Sequence, residues 1–517
     1  MEQPEGWSWQ DRAEGSIRRG SALDPGLEPV DGIRAFPTAY LPERLLITND
    51  LDEQEEFDRE LRTLREAADS FGWMLELDVA DREDAGELVP GVPGFLRARL
   101  TTPDEPQRGE SPVAPDAWRV LQRARRMSRS TMPRTSLEHV LSIDPVGLNP
   151  FSRTNPFSRT NPFSRTNPAA GERGGSDDYL EPGRGARQPV SWVGPAPQRG
   201  PRPTRGKRRA VVAVLDTGCG VHDWLPDDIV TRHLELDGIP VGLTDDADPE
   251  RYPDLYGQLD GELDAVAGHG TFIAGVVRQL APDADILSVR VAGALGVVDE
   301  SSLLRTLAQV VELLRRYRED PATGHPIDVL NLSLGYYHET PQDGLYSRTL
   351  FDLLAKAREL GCVVVCSAGN DAVDRPSFPA SLWAWPGADN GLPVDQGAPH
   401  VSVGALNPSG HSVALFSNVG PWVKVYAPGA AVVSCSPAFV GGTQALTRAD
   451  AHDLRRETID PDDYRGGFAV WSGTSFAAPF VAARIAAELG PVPVDGAGTD
   501  AVAAAVKTVA ATLPSPA

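Results

Sequence analysis

The chain has 517 residues, 41% of them hydrophobic, and 72 Asp and Glu against 49 Lys and Arg give it a formal charge of −23. That length exceeds one typical domain and permits a large core, while the acidity argues against nucleic acid as the main partner. No run approaches the ~18 apolar residues that span a bilayer, and the opening MEQPEGWSWQDRAEGS has neither the basic start nor the apolar stretch of a secretory leader. A cytoplasmic protein without a transmembrane anchor is expected, export by a non-standard route staying open. Four cysteines are too few for a disulfide scaffold. Cys362 and Cys366 lie on one predicted strand roughly 13 Å apart, beyond the ~7 Å limit for bridging, so free thiols are expected, as suits a reducing compartment.

Charge divides the chain. Residues 1–100 carry a net −12, residues 101–209 a net +9, and the remainder −20. After an N-terminal extension (1–39), RLLITND (44–50), the stretch Glu53–Asp69, WMLELDV (73–79) and FLRARL (95–100) predict strand, helix, strand, strand, with Phe57, Leu61, Leu64 and Ala68 at helical spacing. This reads as a small α+β domain over 40–100. Residues 101–148 read as a basic, partly helical linker in which Trp118–Met127 forms a solvated helix. Residues 149–208 read as a disordered Pro/Gly-rich linker, because the unit Asn-Pro-Phe-Ser-Arg-Thr, repeated three times from Asn149 to Thr166, has no apolar period to bury.

From Ala210 the texture changes. VVAVL (211–215), ILSVRV (286–291), IDVLNLS (327–333), CVVVC (362–366), HVSVGAL (400–406) and VKVYA (423–427) are continuous apolar runs of the kind buried on both faces of a sheet. Leu303, Leu304, Leu307, Val310, Val311 and Leu314 mark one connecting helix, and Leu350, Phe351, Leu354 and Ala357 another. Strand and helix alternating over some 300 residues predict an α/β fold, a parallel sheet flanked by helices, spanning 209–490 and followed by a C-terminal helix and tail (491–517).

Three segments place polar residues where a strand ends or a helix begins. Asp216 closes VVAVL and is followed by Thr-Gly-Cys-Gly. His269 stands in Gly268-His-Gly-Thr-Phe-Ile-Ala-Gly275 before an apolar helix, and Ser475 in Gly473-Thr-Ser-Phe-Ala-Ala-Pro479 before another. Taken singly, a strand-end Asp is more often a turn former, the His a helix-start residue and the Ser an N-cap. Together, in the order Asp, His, Ser, they carry the local signatures of one arrangement. Residues 209–490 resemble the subtilisin-like serine proteases, the subtilases.

The resemblance implies an Asp216, His269, Ser475 triad that hydrolyses peptide bonds through an acyl-enzyme, with protein or peptide substrates and no required cofactor. It implies an oxyanion hole from Asn370 and the Ser475 backbone, and substrate pairing along Ser333, Leu334 and Gly335, with Ala368 and Gly369 beside Asn370. Residues 40–100 then become either a propeptide that is cut away or a permanent sensor, and the basic linker is expected to contact the acidic protease body. Calcium, which some relatives hold, has only the acidic loop Asp245–Asp248 to recommend it, without a specific ligand pattern. Phe272 replaces a second His found in many relatives, Cys219 reads as a packing residue near Asp216, and 437–466 reads as an inserted, decorative polar loop. A catalytically silent peptide-binding scaffold is the alternative, disfavoured by four intact site residues.

Overall fold

The computed structural model describes residues 20–49, 53–78, 87–103, 113–143, 183–257, 261–340, 348–384 and 397–515, with Tyr179 and short pieces before residue 20. The Asn-Pro-Phe-Ser-Arg-Thr repeats lie outside the described residues.

The N-terminal domain comprises β1 (Ala39–Asn49), α1 (Gln54–Asp69), β2 (Met74–Leu77), β3 (Gly94–Thr101), α2 (Ala117–Ser128) and β4 (Thr135–Ser142). Its strands run antiparallel in the order β4-β1-β3-β2. Phe57, Leu61 and Leu64 of α1 are buried, as their spacing predicts. The domain nevertheless extends past residue 100, which corrects the reading of 101–148 as a linker. Trp118, Val120, Leu121 and Ala124 of α2 share one apolar core with Leu45, Ile47, Leu96 and Ala98 of the sheet. Arg123 and Arg126 lie on the other side of α2 and pair with Glu28 at 2.9 and 3.1 Å. Most of the positive charge of this segment therefore belongs to one helix face, while Arg125 is buried and donates to the Thr131 carbonyl and to Gln122, each at 3.0 Å. Asp116 starts the helix by accepting the Trp118 N–H at 2.9 Å. Trp118→Ala should cost about 3–5 kcal/mol, the usual range for a fully buried tryptophan, measured by urea unfolding; a loss below about 0.5 kcal/mol, typical of a surface position, would return α2 to solvent.

The second body is built on β5 (Val211–Asp216), α3 (His269–Leu280), β6 (Asp285–Arg290), β7 (Val297–Asp299), α4 (Glu300–Glu319), β8 (Val329–Leu332), α5 (Arg348–Glu359), β9 (Val363–Ser367), β10 (His400–Leu406), β11 (Val425–Pro428), β12 (Val432–Cys435), β13 (Phe468–Trp471), α6 (Thr474–Leu489) and α7 (Thr499–Thr512). Seven parallel strands lie in the order β11-β10-β9-β8-β5-β6, with Val230–Thr231 at the far edge. Val211, Ala213 and Leu215 pack in one core with α4 and α5. Val212 and Val214 pack in the opposite core with α3 and α6. Continuous apolar runs are thus explained by burial on both faces.

Residues 183–208 lie on this body, which corrects the placing of a linker there. Gln188–Pro189 pairs with β13, and Lys207–Arg208 pairs with Val492–Pro493. Arg208 meets buried Asp328 at 2.5 Å, Arg209 meets Asp283 at 2.7 Å, and Arg199 pairs with Asp285.

The two bodies share a sheet. β7 pairs antiparallel with the end of β4, Val298 opposite Leu141. Ser142 and Gly335 exchange backbone bonds, the Ser142 N–H donating at 2.9 Å and the Gly335 N–H at 3.0 Å, and the Ile143 N–H donates to the Gly296 carbonyl at 2.7 Å.

Candidate active site

The carboxyl end of β5 holds Asp216 with no exposed surface, and the chain turns away through Gly218 at φ +106°. His269 is the first residue of α3, preceded by Gly268 at φ +80°, a conformation suited to glycine. The two meet, His269 Nδ1 lying 2.7 Å from Asp216 Oδ1, an oxygen that also accepts the Thr217 N–H at 2.8 Å. The imidazole is packed edge-on to Trp471, with ring centroids 5.5 Å apart, and beside Phe476 at 5.2 Å. Phe272, where many relatives carry a second His, is wholly inside this aromatic group and touches Phe476.

Ser475 is the second residue of α6, among N–H groups that no preceding turn satisfies. Pro479 has no N–H to give the carbonyl four residues back, and that Ser475 carbonyl instead accepts the Ser333 hydroxyl at 2.9 Å. The Ser475 hydroxyl donates to the Ser333 carbonyl at 3.4 Å, while His269 Nε2 makes no hydrogen bond. The serine to histidine bond is therefore unmade here, a common state of such sites before substrate binds.

Asn370 sits at the same place. Its Oδ1 accepts from the Thr474 N–H at 2.8 Å and the Thr474 hydroxyl at 2.9 Å, which fixes the direction of its amide. Gly369 donates to the same hydroxyl at 3.1 Å, at φ +99°, where a Cβ would stand 2.5 Å from Asn418 Nδ2. Asn418 is a residue that the sequence reading missed. Fully buried, it donates to the Ala368 carbonyl at 2.8 Å and accepts from the Asp371 and Val373 N–H groups, locking the loop that carries Asn370. Leu334 is buried in the same core as Leu141 and Ile143. Ser333 gives its hydroxyl to the Ser475 carbonyl and receives the Ser475 hydroxyl on its own carbonyl, Gly335 is taken by Ser142, and Ala368 and Gly369 are held by Asn418 and Thr474 in the loop that carries Asn370.

Burial pushes the Cys219 thiol up to about 12, consistent with a packing role. The inserted segment differs from its reading as decoration. Its outer part is exposed, but at its base Pro437 and Phe439 lie where a Gly268 Cβ would meet them at 3.0 and 3.2 Å, beside His269. Arg187, from the segment expected to be a linker, stacks on Trp471 at 4.8 Å and binds the Ala267 carbonyl at 2.9 Å.

In the acidic loop, Asp245 is paired with Arg290 at 2.5 Å and Asp248 accepts the Glu250 N–H at 2.9 Å. The His139, His338 and Glu339 group is the one set among the described residues close enough to share an ion. Both ring nitrogens of His139 are already engaged by carboxylates, Glu300 and Glu339, each at 2.7 Å.

Fold and site together define an α/β domain of the subtilisin type. A model of the subtilase family matches residues 207–505, more than half of the chain, and the chain belongs to that family. It is 27% identical over 295 residues to an intracellular serine protease of Paenibacillus polymyxa, covering 55% of this chain and 67% of that one. It is 28% identical over 240 residues to subtilisin-like protease 3 of Trichophyton tonsurans, covering 44% and 51%. Among solved structures it is similar to fervidolysin from Fervidobacterium pennivorans, a keratinolytic enzyme related to subtilisin, at 18% identity and a TM-score of 0.43 over 92% of this chain and 58% of that one. The chain spans from about half to two thirds of the length of these relatives. None of the described helices is long and apolar enough to cross a membrane.

Proposed function

We propose that the chain is a serine endopeptidase acting through Ser475, with its N-terminal domain holding one of its own strands in the substrate groove. The observation that carries the catalytic part is the buried 2.7 Å contact of Asp216 with His269 at the strand end facing the start of α6. With a peptide bound, His269 Nε2 takes the Ser475 proton as Oγ attacks the carbonyl carbon, and the imidazolium so formed is held by Asp216. The negative charge growing on the carbonyl oxygen is met by the Ser475 N–H and the Asn370 amide, whose orientation Thr474 sets. Collapse breaks the C–N bond, the proton passes from Nε2 to the departing amine, and water attacks the acyl ester by the same route in reverse. These steps draw on no cofactor.

An extended substrate would gain affinity by pairing with Gly335 on one side and Gly296–Asp299 on the other. That position is held here by Leu141, Ser142 and Ile143, which supports an inhibitory N-terminal domain over a sensor placed elsewhere. The likeness to an intracellular protease and four free thiols support a place inside the cell. The test is labelling by a serine-directed fluorophosphonate. Once the N-terminal domain has been cut away or released, the wild-type chain should be labelled and Ser475→Ala should not. Equal labelling would remove Ser475 as nucleophile, and an unlabelled wild type that still binds peptide would favour the silent scaffold.

A further inference from the structure

Glu250 belongs to a loop remote in sequence from the three motifs, and its side chain is buried directly behind two of them. Its Oε1 receives the Thr217 hydroxyl at 2.5 Å and the Gly270 N–H at 3.0 Å. Its Oε2 receives the Thr271 hydroxyl and, at 3.3 Å, the Thr271 N–H. The two hydroxyls cross over. Thr217, next to Asp216, accepts from Gly270 of the His269 helix at 2.8 Å, and Thr271 of that helix accepts from Gly220 of the Asp216 loop at 2.7 Å. The backbones touch so closely that a Cβ on Gly270 would lie 2.0 Å from the Gly218 carbonyl oxygen.

We infer that Glu250 is a positioning residue for the Asp216–His269 pair, clamping the end of β5 to the start of α3 and governing which carboxylate receives the Thr217 proton. A hydroxyl has one hydrogen to give. Thr217 Oγ lies 2.5 Å from Glu250 and 3.1 Å from Asp216 Oδ1, so a charged Glu250 takes that hydrogen and leaves Asp216 its full basicity toward His269. A neutral side chain there lets the hydroxyl turn to Asp216, which weakens that carboxylate's support for the imidazolium. Burial, together with the charges of Asp248 and Asp216, pushes the Glu250 carboxyl up to about 8 against the Thr217 and Thr271 hydroxyls, so its charged form prevails above that pH and its neutral form below it. The titratable groups facing it are Asp216, Asp248 and Cys219, and the thiol stays protonated at neutral pH.

The inference rests on the proposed triad, so the test has a readout that needs no turnover. Near pH 9, where the native Glu250 is charged, the far-downfield proton resonance of His269 Nδ1–H should move upfield in Glu250→Gln. With this, kcat should fall about 10- to 100-fold, the scale of a small misplacement at a reacting centre. Glu250→Asp keeps the carboxylate but is one methylene short, and should lower kcat about tenfold while leaving that resonance in place. An unmoved resonance in Glu250→Gln near pH 9, whatever its melting temperature, would overturn the proposal, as would Glu250→Asp within twofold of wild type. An intact resonance shift in a chain that no fluorophosphonate labels would sink the protease reading and leave the clamp standing.

Discussion

Exchange of Asp216 for asparagine should lower kcat about 10,000-fold, the size of the loss that an aspartate-to-asparagine exchange causes in a serine protease triad. The shape of the site predicts little cost to folding. The asparagine side chain would keep an oxygen for the Thr217 N–H, bonded at 2.8 Å, and the strand beneath it lies between β6 and β8 in an unchanged register. What is lost is charge. Asp216 has no exposed surface, and the imidazolium formed when Ser475 gives up its proton is boxed by Trp471 and Phe476, which offer no counter-ion. The measurement is kcat on a fluorogenic peptide, normalised by active-site titration and set beside the melting temperature. A variant within tenfold of wild type would show that Asp216 is a strand-end turn former and no more.

How far the site could be read from sequence follows from how far apart its parts lie. Asp216, His269 and Ser475 each stand in a run of contiguous small residues, since a strand end or helix start must let backbone come close, and such runs are visible without a fold. Glu250 and Asn418 act on groups 20 to 50 positions away through single side chains, and a lone Glu or Asn in a loop carries no local pattern. The N-terminal domain is bounded too early by sequence for a different reason. Helix α2 is amphipathic, with Trp118 and Leu121 inward and Arg123 and Arg126 outward, and net charge is blind to the apolar face. Residues 183–208 have no period at all. They are held by arginine contacts to Asp328, Asp285 and backbone carbonyls, which leave a basic, proline-rich stretch looking unbound. The parallel sheet is readable because burial on both faces suppresses polar residues throughout each strand.

His139 should make docking of the N-terminal domain depend on pH, and its loss should free the groove. It lies on β4 three residues before Ser142, with no exposed surface, between Glu300 of α4 and Glu339 of the catalytic body. Burial alone would lower its pKa, but the two carboxylates outweigh that and push it up to about 10. Glu339, although buried, is correspondingly held well below the usual carboxylate range, with His338, His139 and Arg125 beside it. Burial pushes His338 down to about 3, so it stays neutral. Once undocked, His139 returns toward its ordinary value near 6.5. The pKa is raised in the docked state, so its contribution is complete below about 6.5 and is lost as pH rises toward 10. Backbone amide exchange at Ser142 and Ile143 in a Ser475→Ala chain, which cannot cut itself, reports docking directly. After correction for intrinsic exchange, protection should fall steadily from pH 7 to 10. His139→Leu should abolish that slope and lower protection about 100- to 1,000-fold at pH 6, because removing one partner of a buried ion pair costs about 3–5 kcal/mol. Phe36 and Arg375 hold a second seam, the Phe36 N–H donating to the Glu339 carbonyl at 2.8 Å and Arg375 to the Pro37 carbonyl at 2.7 Å, so the domain should loosen at β4 first. Protection that is equal in the two proteins, or flat with pH in the chain with His139 intact, would remove the imidazolium as the clasp.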